Sequence, residues 1–336
     1  MGLRKFWQAI DAHPLARRQR WRASARFLAW QLRSLLLLRR GRSAPVKFVD
    51  ESRLLARRGE TGVTGNLYFG LHEVEEMSLL AHLIRPGEGV IDVGANIGSF
   101  TILAAARGAN VLAFEPVHRL AKRLEANVAL NGFQHLVRVR QVAVGASPGV
   151  VRISQHAETT NRVATTSSPD ADASPSASQN DRERAVDLVT IDQQLAVEQW
   201  LAESGDLRYQ NPSGPPAENR ARPFPPPVAI KIDVEGYEPA VLAGAQQTLA
   251  TSSVNLLIWE ANVGQADYGF DPEAVRQQVL DTGFQTVRYD PFERQLQPTD
   301  EPTPAGNWLA VRDLSRAEAR LQSAPPLIVR QANVAL

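Results

Sequence analysis

The chain has 336 residues, 43% of them hydrophobic, which is enough for a substantial core and excludes wholesale disorder. It has no cysteine, which rules out a disulfide framework, a thiolate metal site and a cysteine nucleophile, and fits a reducing, cytoplasmic setting. The formal net charge of +1 conceals segregation: residues 1–45 hold eleven Arg and Lys against the single acid Asp11, so the remainder is net acidic.

Residues 1–60 read as a basic amphipathic extension ahead of a folded domain spanning 61–314. Phe6, Trp7, Trp21, Phe27, Leu28, Trp30 and the run Leu35 to Leu38 supply an apolar side to the arginine-rich segment. Two readings follow, a solvated helix flanking the domain and a helix of residues 1–45 lying on the anionic inner face of a membrane. Nucleic acid is not expected as a partner, since no recognised binding motif accompanies the charge. Leu35 to Leu38 is far too short to span a bilayer, and the segment sits too late and is too arginine-rich for a secretory signal.

From Val63 the composition becomes that of a folded domain. Helical periodicity runs from Val74 to Ile84 and stops at Pro86-Gly87. A strand at 90–93, a helix near 98–107, a strand at 110–114, a helix near 117–130 and a strand at 136–144 then alternate. Asn131-Gly132 closes the second of these helices as a C-terminal cap should. Short strands are expected at 150–154 and 186–191. The alternation resumes with a strand at 228–233, a helix near 237–250, a strand at 254–260, a helix near 272–282 and strands at 285–289 and 307–311. Such alternation predicts an α/β fold with helices on both faces of a mostly parallel sheet. Residues 159–184, rich in Thr, Ser, Asp, Ala and Asn, and 202–227, holding seven prolines, read as flexible insertions. Residues 315–336 form a tail with no clear assignment.

The chemistry gathers at four strand ends. Val90-Ile91-Asp92-Val93 enters the turn Gly94-Ala95-Asn96-Ile97-Gly98, where a tight glycine turn lets backbone N–H groups and a helix N-terminus approach a ligand. Glu115, twenty-one residues after Gly94, stands where an acid takes hydrogen bonds from ribose hydroxyls. That pair serves dinucleotide enzymes and enzymes of S-adenosylmethionine alike. Asn96 occupies the position where a dinucleotide loop has glycine, and the loop has no Lys or Arg to receive phosphate. A ligand with ribose and no phosphate fits better, and S-adenosylmethionine is one. The third piece, Lys231-Ile232-Asp233-Val234-Glu235-Gly236, delivers Asp233 and Glu235 to a strand end, and Glu260 ends the next strand. N-capping of the following helix is the plain alternative for each acid taken singly.

These residues resemble the FkbM-type S-adenosylmethionine-dependent methyltransferases. The likeness rests on D-V-G-A-N-I-G (Asp92 to Gly98), A-F-E-P (Ala113 to Pro116), N-x-x-L-N-G (Asn127 to Gly132), the segment Val186 to Asp192, K-I-D-V-E-G-Y-E-x-x-V-L-x-G-A (Lys231 to Ala245) and Glu260. Gly70-Leu71-His72-Glu73 matches a short G-x-x-E lead-in. The resemblance covers roughly residues 65–312 and implies a Rossmann-like sheet of seven strands and O-methylation of a hydroxyl on a sugar, glycan or natural product. It carries the donor site onto Glu73, Asp92, Gly94, Asn96, Gly98, Glu115, Pro116 and Ala143, and the chemistry onto Asp233, Glu235 and Glu260, with Asp233 the first choice of base. His72, His118, His135 and His156 are rival bases. A divalent metal at Asp233 and Glu235 is compatible with their charge, but no His–carboxylate motif supports it. The rival classes are an NAD(P)-dependent oxidoreductase on a similar fold and a non-catalytic binding module. The proline-rich expansion and the basic N-terminus depart from the family pattern and leave the small-molecule or carbohydrate acceptor unspecified.

Overall fold

The computed structural model describes residues 3–36, 43–57, 62–154, 183–204, 223–260 and 263–336. Most of the two expected insertions, 155–182 and 205–222, and His156 with them, lie outside the described residues. Within them the chain forms β3 (Gly89–Val93), β4 (Asn110–Phe114), β5 (Val137–Arg140), β9 (Pro227–Ile232), β10 (Leu256–Glu260), β11 (Gln285–Asp290), β12 (Gln295–Pro298) and β13 (Asn307–Val311), joined in one sheet ordered β12-β11-β13-β10-β9-β3-β4-β5. The run from β5 to β10 is parallel, and β13 inserts antiparallel between β10 and β11. This is a Rossmann-like α/β sheet of seven strands extended by an eighth, β12, hairpinned onto β11. Every residue of β3, β9 and β13 is buried, the pattern of strands covered on both faces.

Helices α5 (Val74–Leu83), α6 (Ser99–Ala106) and α7 (His118–Leu130) form much of the covering layers. Asn127 on α7 and Asn131, which caps its C-terminus one turn later, explain the N-x-x-L-N-G motif. Asn127 accepts from the Leu55 N–H at 2.8 Å and donates to the Ile97 carbonyl at 2.7 Å. Asn131 bonds both backbone groups of Arg53 at 2.8 Å. The two amides thus stand in for a neighbouring strand along β2 (Arg53–Arg57), which pairs antiparallel with β1 (Ser43–Lys47).

Two expected elements divide. The strand expected at 136–144 ends at Arg140, and Ala143–Val144 forms β6 in a second small sheet with β7 (Gly149–Ser154) and β8 (Glu183–Val189). The helix expected at 237–250 breaks at Gly244, where a Cβ would lie 2.0 Å from the Gly145 carbonyl oxygen. The side chain of Asp192 accepts from the Gln247 and Thr248 N–H groups at 2.9 Å, capping the second half.

Both ends of the chain join the same core. Helices α1 (Leu3–Ala12), α2 (Pro14–Arg18) and α3 (Arg20–Leu36) bury Ile10, Leu15, Ala23, Phe27 and Trp30 in the cluster that also holds Leu79, Ile102 and Val111. Arg26 donates to the Tyr68 carbonyl at 2.9 and 2.6 Å and to the Gln331 carbonyl at 2.8 Å, tying α3 to α4 (Gly62–Phe69) and to the C-terminal segment. Residues 314–323 form a helix N-capped by Asp313 and packed against α5, followed by the hairpin of β14 (Ile328–Val329) and β15 (Val334–Ala335). Among the described residues no helix is long and apolar enough to cross a membrane.

Candidate active site

The parallel pairing of β3 with β9 brings Val93 opposite Ile232, so the turns that follow these strands open side by side. They border a cavity of about 720 Å³, a volume suited to a cofactor and part of a substrate. Glu73, Gly94, Asn96, Glu115, Pro116, Ala143, Asp233, Glu235 and Glu260 line it. Asp92 and Gly98, also expected at the site, stand behind the wall.

The β3–α6 turn is built by close backbone approach. Gly94 has φ +75°, and a Cβ there would fall 1.8 Å from the Asp233 carbonyl oxygen. Only glycine lets the two turns touch. Asn96 also has positive φ, at 52°, a conformation that asparagine tolerates better than most residues. Its N–H donates to Glu115 Oε2 at 2.8 Å, and the Val117 N–H donates to Glu115 Oε1 at 2.9 Å. Each carboxylate oxygen keeps a lone pair for a further donor. Burial pushes Glu115 up to about 7 despite those two hydrogen bonds. Gly98 opens α6 with φ +95° and packs against Leu124.

The β9 turn is built by charge. Lys231, 6% exposed, places Nζ 2.9 Å from Asp233 Oδ2, 4.0 Å from Asp92 Oδ1 and 5.0 Å from the Phe100 ring centre. Burial alone would lower this ammonium, but Asp233, Asp92 and Glu73 together outweigh it and hold Lys231 above its ordinary value. Asp92, buried and raised by that burial, accepts from Thr101 Oγ1 at 2.5 Å on α6. It is therefore a brace between the lysine and the helix. Asp233, 32% exposed, is the member of the set that solvent or an acceptor can reach. Glu238, buried, accepts from the Val234 and Gly236 N–H groups at 2.9 and 3.1 Å, holding Glu235 at φ +57° between them.

Glu73 precedes α5 and sits among the cavity's acids: its electrostatic neighbours are Glu76, Lys231, Asp233 and Glu260. Burial, reinforced by Glu76, pushes it up to about 8. Of the histidines considered as bases, His72 lines the cavity beside Glu73, whereas His118 and His135 are exposed elsewhere, on Gln141 and the Gly132 carbonyl. Among the described residues no group of three His, Cys, Asp or Glu side chains could hold a metal ion.

Sequence reasoning overlooked three contributors. Lys231 enters the sequence reading only as a motif position, although a lysine inside an apolar strand that ends in acids is itself a signal. Glu238 reads as an ordinary first-turn acid. The wall formed by Phe27, Trp30, Gln31 and Ser34 of α3 had no local signal, because only tertiary packing brings the N-terminal helix over the cleft.

Among solved structures the chain is similar to an S-adenosylmethionine-dependent methyltransferase from Agrobacterium tumefaciens, at 11% identity over 66% of this chain and 53% of that one, with a TM-score of 0.33. It is also similar to an rRNA methylase from Streptococcus thermophilus (11% identity, 70% and 91% covered, TM-score 0.33). A third is precorrin 8w decarboxylase from Methanobacterium thermoautotrophicum (12% identity, 70% and 88% covered, TM-score 0.35). No curated protein matches the chain. The methyltransferase FkbM domain does match, over residues 92–286, from the acid that braces the glycine turn into β11 and across more than half the sequence, and the chain belongs to that family.

Proposed function

We propose that this protein transfers the methyl group of S-adenosylmethionine to a hydroxyl of a sugar, glycan or natural product. The observation that carries this reading is the charge of the cavity. Among its described lining residues Lys231 is the only Lys or Arg, and Asp233 and Asp92 already match it, while the further carboxyl groups of Glu235 and Glu260, with Glu115 held near neutrality at about 7, leave the wall acidic. Such a wall repels the pyrophosphate of NAD(P) and attracts a sulfonium cation, and Phe100 and Phe114 are aromatic members of the same lining.

The residues present fit that donor. Glu115 has lone pairs for two ribose hydroxyls, and the Gly94–Ile97 turn, with Pro116 and Ala143, lines the cavity beside it. When bound, S-adenosylmethionine supplies an already activated methyl group, so the protein's task is to align the acceptor and take its proton. Asp233 commits one oxygen to Lys231, which suits it to orienting the acceptor hydroxyl. We assign the proton to Glu73, whose affinity near 8 suits a base at neutral pH, with Glu235 and Glu260 flanking the acceptor.

Calorimetry with S-adenosylmethionine and with NADH tests the donor: binding of the first alone is expected, and tight binding of NADH alone would overturn the reading. Tritiated methyl transfer into fractionated glycans and metabolites tests catalysis against a non-catalytic module. Glu73→Gln should lose at least about a hundredfold in turnover while keeping donor affinity.

A further inference from the structure

Helix α3 carries two apolar faces. Ala23, Phe27, Trp30 and Ser34 point inward and are buried, three of them lining the cavity. Positions 21, 25, 28 and 32 recur at helical spacing on the opposite side. Trp21 is 71% exposed, Leu28 61% and Leu32 59%, and Trp7 on α1 is exposed as well. A surface helix that served only to cover the cavity would be polar on this side. Arginines border the stripe: Arg17 and Arg33 are exposed, Arg20 is exposed and paired with the Asp11 carboxylate, and Arg22 lies with its guanidinium 5.0 Å from the Trp21 ring centre. Arg26 is the inward exception, committed to backbone carbonyls.

We propose that the outward face of α1 to α3 docks on an anionic lipid surface, with Trp21, Leu28 and Leu32 entering the headgroup boundary and the bordering arginines meeting lipid phosphates. Exposed aromatic and aliphatic side chains flanked by arginine are what an in-plane interfacial helix presents. A second copy of this chain fits the face less well, since pairing would set one arginine-bordered stripe against another. Nucleic acid would leave Leu28 and Leu32 against phosphate. The inference is independent of the methyl donor, and it places the helix that walls the cavity at the lipid interface.

The test is co-sedimentation of the full chain with vesicles of phosphatidylcholine alone and of phosphatidylcholine mixed with phosphatidylglycerol. Sedimentation with the mixed vesicles only is expected. The triple variant Trp21→Ser, Leu28→Ser, Leu32→Ser should bind them at least about tenfold more weakly. Arg22→Gln with Arg33→Gln should lose about fivefold per arginine at low salt. All five positions avoid the core, and an unchanged thermal melt checks that. Because the protein has no cysteine, Leu28→Cys labelled with a polarity-sensitive dye reports the face directly, with Val150→Cys, at a position 67% exposed on β7, as control. A blue shift at position 28 alone supports docking. Equal sedimentation with both vesicle types, binding untouched by the triple variant, or dimerisation without vesicle binding would each overturn it.

Discussion

The two turns that meet at the cavity are held in place by different means. The β3–α6 turn is steric: Gly94 has no room for a side chain, and the backbone N–H groups of Asn96 and Val117 bind Glu115. The β9 turn is electrostatic: Lys231 joins Asp92 to Asp233, and Glu238 gathers the N–H groups of Val234 and Gly236. A steric turn presents one rigid surface to a ligand. An electrostatic turn couples its shape to the charge of whatever enters, as the proposed proton transfer would require.

Replacing Lys231 with Met should do the most damage, because it strands Asp92, 1% exposed, without its cation. A loss of about 4 kcal/mol in urea unfolding is expected. Adding Asp92→Asn should restore much of it, and a double variant as unstable as the single one would show that the pair is not what holds the turn. Gly94→Ala should cost about 3 kcal/mol, since β3 and β9 must separate to relieve contact with the Asp233 carbonyl. Calorimetry should show donor binding lost as well. If the variant binds the donor normally, the turn is less rigid than its geometry implies.

Glu238→Gln keeps an acceptor oxygen but loses its charge, so a smaller cost, about 1 kcal/mol, is expected. Amide exchange should quicken at Val234 and Gly236 while Asn96 stays protected; equal quickening in both turns would erase the distinction between them.

The last effect concerns pH. Glu115 and Glu73 hold protons more tightly folded than unfolded, so folding takes up protons above the ordinary glutamate value of 4.5. Stability is therefore greatest at low pH within this window and falls as pH rises, until about 7 for Glu115 and about 8 for Glu73. Glu73→Gln should flatten the upper part of that fall in urea midpoints measured across the window. Turnover should move the opposite way, rising as Glu73 ionises toward pH 8. A stability profile unchanged by Glu73→Gln would remove Glu73 from the acid cluster.

Much of the fold could be read directly from the residues. The alternation of periods located the strands of the central sheet, because a strand buried on both faces needs an unbroken apolar run and its helix partners need a different period. The G-x-N-x-G turn and Glu115 were legible for the same reason: backbone curvature and a strand-end acid leave local marks. β12 and the hairpin of β1 and β2 carry no run of their own: each is a short edge element held by a few partners, β12 by β11 and β2 by Asn127 and Asn131. Helix 314–323 escaped because its polar sequence becomes part of the protein only by packing on α5.

What the sequence determined alone, then, was the parallel sheet, the glycine turn and the set of acids at the strand ends, all of them consequences of short-range pattern. Tertiary structure decided the roles within that set. It made Asp92 a brace, tied Asp233 to Lys231, set Glu73 beside Lys231, Asp233 and Glu260 and laid α3 over the cleft. Charges interact through space and not along the chain, so residues as distant in sequence as Glu73, Lys231 and Glu260 acquire their proton affinities only when the fold brings them to one cavity.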